Sequence, residues 1–342
     1  MSGAHVLVVG STSWGCTLAM QLARAGSRVS LHCRSAAAAE QLSAEREERR
    51  LLPGIALPDS LEFTTTEAVP PSPDAIFFVV PSQRLRDNVE EVLPALARPL
   101  PPLVSASKGL EIGTELRMSE VMAEKARTLG EAPPLVALSG PNIAREVALG
   151  LPATTVVACR DVAVAETLRD MLMTPALRVY TSSDIVGVEL GGALKNVIAI
   201  GVGIGDGLNL GENARAALTA RGLAEITRLG MALGAEPLTL TGLAGLGDLI
   251  LTCTSQRSRN RYVGEQIGKG RFLDTVLGEM VHVAEGVDTT RVARTLARRV
   301  GVEMPIVDAI YRVLSEGQQP MDAVRSLMTR AAQQELVGRS SP

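Results

Sequence analysis

Aromatic residues are scarce. Phe, Trp and Tyr make up 2% of the 342 residues, so few rings are available to stack on nucleic-acid bases. Neither sign of charge is in excess: 34 Lys and Arg against 37 Asp and Glu give a formal net charge of −3, which argues against a nucleic-acid footprint and makes any anion site local. The four cysteines, Cys16, Cys33, Cys159 and Cys253, form no C-x-x-C pair. His5, His32 and His282 are too few and too scattered for a histidine-rich metal site, and no metal is expected. His5 and His32 lie in or beside strand-like runs, where a satisfied structural histidine is the simpler reading. A signal-peptide layout is missing too, so a cytoplasmic, reduced protein is expected. The apolar run after Asn196 reaches only Gly205 before Asp206 ends it, short of the roughly 20 residues a bilayer requires, so no membrane insertion is expected.

What is present is ordinary globular composition, 46% hydrophobic and 21% charged, long enough for two domains. HVLVVGSTSWGCTLAMQLARAGSRVSLHC reads as strand (His5 to Val9), helix (Ser13 to Ala25, closed by Gly26) and strand (Arg28 to Cys33). Gly10 and Gly15 occupy the first and third positions of a G-x-G-x-x-G dinucleotide fingerprint, with Thr12 at the second. The motif alone fits either a dinucleotide or a plain α/β turn. The second strand ends on His32, Cys33, Arg34 and Ser35, with no carboxylate for ribose hydroxyls. Arg34 is either a partner for the 2′-phosphate of NADP(H) or a solvated surface arginine.

A charged helix, EQLSAEREERR, follows. Strand patterns recur at Ala75 to Val80, Leu103 to Ala106, Leu135 to Leu138, Thr154 to Ala158 and Leu177 to Tyr180, with helical segments such as Arg84 to Leu96 and Glu115 to Leu129 between them. This alternation predicts a parallel, doubly wound sheet, whose ligands gather at the carboxyl ends of the strands. Three polar turns fall there: VVPS ending at Ser82, SASKGLE with Lys108, and LSGPNIAREV from Leu138.

Beyond Ser182 the strand signals stop and glycine-punctuated helices take over, placing a cleft between the two halves. In GVELGGALKNVIAIGVGIGDGL, Lys195 sits within a mostly apolar helix. Its side chain leans back over Gly191 and Gly192, so it either overlies a backbone-lined concavity or snorkels to water from a tightly packed helix. Asp248 and Thr252, four apart, share a helical face; Asp248 either holds a lysine or caps the helix. Ser258, Arg259 and Asn260 are expected in a polar loop, and Arg257, Arg259 and Arg261 either form a phosphate fork or are ordinary surface arginines.

In this order and spacing, ELGGALKNVIAIGVGIGDGLNLGENARAALTARGLAEITRLG, GLAGLGDLILTCTSQRSRN, SKGLE and LSGPN resemble bacterial-type NAD(P)-dependent glycerol-3-phosphate dehydrogenase, from Val6 to Arg330. The resemblance implies an α/β fold: an N-terminal Rossmann-like doubly wound sheet over residues 1–182, then an all-helical C-terminal domain over 183–342. It implies reversible hydride transfer between NADP(H), or alternatively NAD(H), and dihydroxyacetone phosphate, giving sn-glycerol 3-phosphate for glycerophospholipid synthesis. Lys195 matches the family's catalytic lysine, and Lys108 a second lysine touching substrate and cofactor. Gly140, Asn142, Asp248, Ser258, Arg259 and Asn260 match substrate-contacting positions. Ser13, Trp14, Arg34, Ala144, Val283 and Glu285 match cofactor-contacting ones, as Lys108 and Arg259 also do. The sequence departs from the family at Thr12, usually glycine, and at Asn142, often Thr or Ser.

The chemistry suits these residues: as hydride reaches the carbonyl carbon, two ammonium groups stabilise the charge building on oxygen, and Lys195 donates the proton. Burial and Lys108 should lower the Lys195 pKa, while Asp248 opposes them. A reductase of the 6-phosphogluconate or 3-hydroxyacid type shares the same plan. A non-enzymatic nucleotide sensor is suggested by Thr12 alone, against Lys108, Lys195 and the Ser-Arg-Asn triplet. The residues set no oligomeric state, and a homodimer is among the assemblies open to the chain.

Overall fold

A computed structural model describes residues 3–280 and 283–330; His282 and the C-terminal end of the helical half, 331–342, lie outside the described residues. Strand β1 (His5–Val9) is buried from Val6 onward, as an apolar run must be when both faces of a parallel sheet are covered. Helix α1 (Ser13–Arg24) follows, and β2 (Arg28–His32) pairs parallel with β1. The chain continues through α2 (Ala36–Glu45), β3 (Leu61–Thr64), β4 (Ala75–Phe78), α3 (Leu85–Val92), β5 (Leu103–Ser105) and α4 (Met118–Thr128). Then come β6 (Leu135–Ser139), α5 (Ala144–Ala148), β7 (Ala153–Cys159), α6 (Val162–Leu172) and β8 (Leu177–Ser182).

Among the described residues, eight strands form one sheet in the order β3-β2-β1-β4-β5-β6-β7-β8. The order reverses direction between β1 and β4, the place where an open α/β sheet leaves a crevice at its carboxyl edge. Two details depart from the expected alternation. The helix expected at Glu40 to Arg50 begins earlier, where Ser35 caps the Ala38 amide, and ends where Arg46 turns left-handed at φ 50°. The sheet is also not wholly parallel, because β6 and β7 run antiparallel. The five-residue α5 between them is pinned along α1 by Gln21 and Arg24, which donate to the carbonyls of Val147 (3.0 Å) and Ala148 (2.8 Å). The chain therefore turns back at the edge it has just left. His5 and His32 do find partners: each Nε2 lies 2.9 Å from a hydroxyl, that of Ser30 and of Thr66 respectively.

The second half is helical. It comprises α7 (Ile185–Gly207), α8 (Gly211–Ala232), α9 (Pro237–Leu240), a π-helical turn (Leu243–Gly247), α10 (Asp248–Thr254), α11 (Arg259–Gly268), α12 (Leu273–Gly278), α13 (Glu285–Arg299), α14 (Pro305–Ser315) and α15 (Pro320–Met328). Helix α7 is apolar nearly all round because it is surrounded. By length and composition it could cross a bilayer, yet 94% of its most apolar window is buried in protein; Pro237–Thr254 passes the same test with 39% buried.

Glu225 of α8 shows how this domain is locked. Its carboxylate, 2% exposed, accepts from the amides of Ile306 (2.8 Å) and Val307 (3.2 Å), capping α14 where no intrahelical partner exists. Burial pushes its pKa up to about 7 despite those two amides. Its contribution to stability is accordingly greatest below its ordinary value and is lost as pH rises through about 7. Glu225→Ala is expected to cost about 1–3 kcal/mol by orphaning buried donors. Denaturant titration at pH 6 checks this, and an unchanged midpoint would remove Glu225 from the account.

Candidate active site

The crevice lies where the turns after β4, β5 and β6 face α7, α10, α11 and α13. Lys108, in the turn after β5, donates to the Gly140 carbonyl (2.9 Å) and to Asp248 Oδ2 (2.7 Å). Lys195 of α7 donates to the other carboxylate oxygen, Oδ1, and to Thr252 Oγ1 (2.7 Å). Asp248, 1% exposed, thus bridges the two lysines, one oxygen to each. Thr252 accepts from Lys195 and donates its own proton to the Asp248 carbonyl one turn back (2.7 Å). An ammonium has three N–H groups. Each lysine spends two on these protein acceptors, and among the described residues the third meets no protein partner.

The glycines before Lys195 are occupied space rather than an open concavity. A Cβ at Gly191 would lie 2.9 Å from the Ala244 carbonyl oxygen, and one at Gly192 would strike Ser139 Oγ. They let α7 press against the π-helical turn that delivers Asp248 and against the end of β6. Lys195, 7% exposed, does not snorkel. Burial is the largest influence on its pKa; Lys108 and Arg259 add to it, Asp248 opposes it, and the outcome is a value lowered to about 8. For Asp248 burial pushes upward, but Lys108 and Lys195 together hold the carboxyl below its usual range.

Arg259 and Asn260 are not in a loop. Ser258 caps α11 by accepting from the Arg261 amide (3.2 Å), making Arg259 and Asn260 its first helical residues. Nor do the three arginines form a fork. Arg261 is drawn to Asp206 (2.7 Å), and the exposed Arg257 lies 3.8 Å from Glu146. Of the three, Arg259 alone has no ion pair within 4 Å among the described residues. It is open to solvent yet encircled by protein, so desolvation lowers its pKa, with Glu285 pulling the other way. Asn260 is spent internally, donating to Asn196 Oδ1 (2.8 Å) and accepting from the Gly286 amide (2.9 Å).

Gly140 takes φ +159°, and Asn142 beside it donates to the Thr154 carbonyl (2.8 Å). Asn142 Oδ1 and Ser139 Oγ are buried with no protein partner. Buried polar atoms are rarely left so, which suits a site awaiting a ligand.

At the first turn, a Cβ on Gly10 would lie 2.7 Å from the Val79 carbonyl oxygen, and one on Gly15 would strike the Gly10 carbonyl. Thr12 replaces a glycine without blocking the turn: its hydroxyl donates to Val79 O (2.8 Å) and accepts from the Gly15 amide (3.0 Å). The amides of Ser13 and Trp14, at the start of α1, have no intrahelical acceptor and stand ready for an anion. This cradle fits a dinucleotide pyrophosphate. Ala144 is drawn to the same place, its carbonyl accepting from Thr17 of α1 (3.2 Å). Arg34 is exposed just past β2, and Val283 is 49% exposed before α13. Glu285 instead accepts from the Ser82 amide (3.0 Å) and the Ser82 hydroxyl.

Residues 5–165 match the N-terminal part, and residues 184–325 the C-terminal part, of the NAD-dependent glycerol-3-phosphate dehydrogenase family. The chain belongs to this family. It is 47% identical to glycerol-3-phosphate dehydrogenase (NAD(P)+) of Chlorobium limicola, over 97% of this chain and 99% of that one. Identity to the Geobacter sulfurreducens protein of the same name is 50%, over 94% and 96%. The crystal structure of glycerol-3-phosphate dehydrogenase from Coxiella burnetii superposes with a TM-score of 0.90 at 36% identity, covering 96% of this chain and 99% of that one.

The motifs did not reveal the anchor that ties α7 to the start of α4. Glu189, 8% exposed, accepts from the Ser119 amide (2.7 Å), the Ser119 hydroxyl (2.6 Å) and Arg117 (2.7 Å) at the start of α4. A carboxylate inside an otherwise apolar run, two residues before the glycine pair, was the available signal.

Proposed function

We propose that the chain transfers hydride between NAD(P)H and dihydroxyacetone phosphate, yielding sn-glycerol 3-phosphate, a precursor for glycerophospholipids, in the cytoplasm. The observation that carries this reading is Asp248 holding two lysines, each with an N–H left for a substrate oxygen. A nicotinamide cofactor supplies the hydride when bound, its pyrophosphate held by the amides of Ser13 and Trp14. Arg34, on the same sheet edge and without a carboxylate partner among the described residues, is placed to pair with a 2′-phosphate. Ala144, Val283 and Glu285 border the same cofactor.

Lys108 and Lys195 polarise the substrate carbonyl oxygen, and Lys195 passes its proton there as the alkoxide forms. Because their donors are already oriented, little reorganisation is needed during the reaction. Asn142 Oδ1 can accept from the substrate hydroxyl, and the unpaired Arg259 can meet the phosphate through two parallel bonds. Asn260 acts through α7 and α13, keeping Arg259 in place, while Ser258 caps the helix beneath it.

Proton donation requires charged Lys195, and the reverse reaction requires it neutral. With the pKa lowered to about 8, kcat/KM for dihydroxyacetone phosphate reduction is expected to fall as pH rises through that value, and kcat/KM for glycerol 3-phosphate oxidation to rise. A substrate phosphate, ionising near pH 6, is already dianionic there. Parallel pH profiles for the two directions would exclude Lys195 as the proton carrier.

A further inference from the structure

Arg259 is an uncompensated cation in a cleft that also holds a carboxylate. Desolvation lowers the Arg259 pKa while Glu285 pulls it up, and burial raises the Glu285 pKa while Arg259, after the two Ser82 bonds, pulls it down. Their neighbours are joined: the side-chain Oδ1 of Asn260, next to Arg259, accepts from the amide of Gly286, next to Glu285, at 2.9 Å. Opposite charges that face one cleft ordinarily pair. These two do not, since no ion pair within 4 Å involves Arg259 among the described residues.

The reason lies in the turn after β4. Ser82, 1% exposed, gives both its amide (3.0 Å) and its hydroxyl to Glu285, one to each carboxylate oxygen. Gln83 Nε2 donates to Ser82 Oγ at 3.3 Å, which leaves the hydroxyl proton for Glu285. Gly109 keeps the space open, because a Cβ there would strike Ser82 Oγ and lie 3.1 Å from Glu285 Oε2.

We propose that Ser82 is a positioning residue for substrate selection: by holding Glu285 it keeps an internal carboxylate off Arg259, leaving that guanidinium free for phosphate. The inference rests on the reading of Arg259 as the phosphate ligand. Removing the hydroxyl takes away one of the two bonds that restrain Glu285. Glu285 then turns toward Arg259 and competes with phosphate from within the protein.

The test is a double-mutant cycle on the full-length enzyme at saturating NADPH. Ser82→Ala is expected to raise KM for dihydroxyacetone phosphate about tenfold, with kcat changed less than about twofold and unphosphorylated dihydroxyacetone unaffected; a tenfold change corresponds to about 1.4 kcal/mol. Competitive inhibition by inorganic phosphate should weaken by a similar factor. In a Glu285→Gln background, where a neutral amide cannot neutralise Arg259, adding Ser82→Ala should change KM by less than about twofold. Ser82→Thr, which keeps the hydroxyl, should behave as wild type. If Ser82→Ala folds poorly, Ser82→Cys replaces it, similar in size but a weak donor. A KM penalty that is the same in the wild-type and Glu285→Gln backgrounds, or the same on both substrates, overturns the proposal and leaves Ser82 shaping its turn. An Arg259→Ala variant with unchanged KM for dihydroxyacetone phosphate overturns the phosphate reading itself, and this inference with it.

Discussion

Replacing Lys195 by methionine is expected to lower turnover in dihydroxyacetone phosphate reduction by about 10²- to 10⁴-fold, the range typical for a general acid, while NADPH still binds. The expectation follows from geometry. Lys195 holds its ammonium on Asp248 and Thr252 and keeps one N–H for the substrate, and its pKa of about 8 lets it give up that proton near neutral pH. Methionine matches the length and apolar stem, so packing against the π-helical turn should survive. Asp248 loses one of its two cations and keeps Lys108, so the variant is not left with an unpaired buried carboxylate. NADPH fluorescence titration separates binding from chemistry. Turnover within about tenfold of wild type would remove Lys195 from the proton path.

Arg259→Ala should be equally damaging and more selective. Removing one member of a desolvated charge contact costs about 2–5 kcal/mol, which is roughly 30- to 4000-fold in kcat/KM. Arg259 has no protein ion pair within 4 Å among the described residues, so its removal breaks no internal salt bridge. The loss should fall on dihydroxyacetone phosphate, with unphosphorylated dihydroxyacetone nearly unaffected, because only the former makes the contact. Phosphate binding energy also places the carbonyl, so kcat should fall together with affinity. Free phosphite should restore little once the guanidinium is gone. Equal losses for both substrates would mean that Arg259 supports the cofactor or the fold.

Some of this was legible in the chain and some was not, for separable reasons. The β1-α1-β2 opening could be read because apolar runs, a helical period and Gly26 coincide there. Helix α7 could be read because its apolar pattern is long. Strand β3 escaped because Leu61–Thr64 is four residues with two apolar positions. The reversal at β7 escaped because strand direction is set by the connection through α5, not by the strand's own residues. At Ser258 the polar composition suggested a loop, although a serine before a helical stretch is also a cap signal. Three arginines at alternate positions looked like one site; Asp206 and Glu146, remote in sequence, decide where two of them go. The Lys108, Lys195 and Asp248 cluster was visible as separate motifs, but which influence dominates the lysine depends on burial, which no motif contains.

The most direct measurement is the initial rate of NADPH and NADH oxidation by the purified protein, with dihydroxyacetone phosphate and with unphosphorylated dihydroxyacetone. Rapid turnover of the phosphorylated substrate is expected, with a far lower kcat/KM for its unphosphorylated counterpart and NADPH used at least as well as NADH through Arg34. Turnover of both substrates with similar efficiency, or of neither with either cofactor, would contradict this expectation.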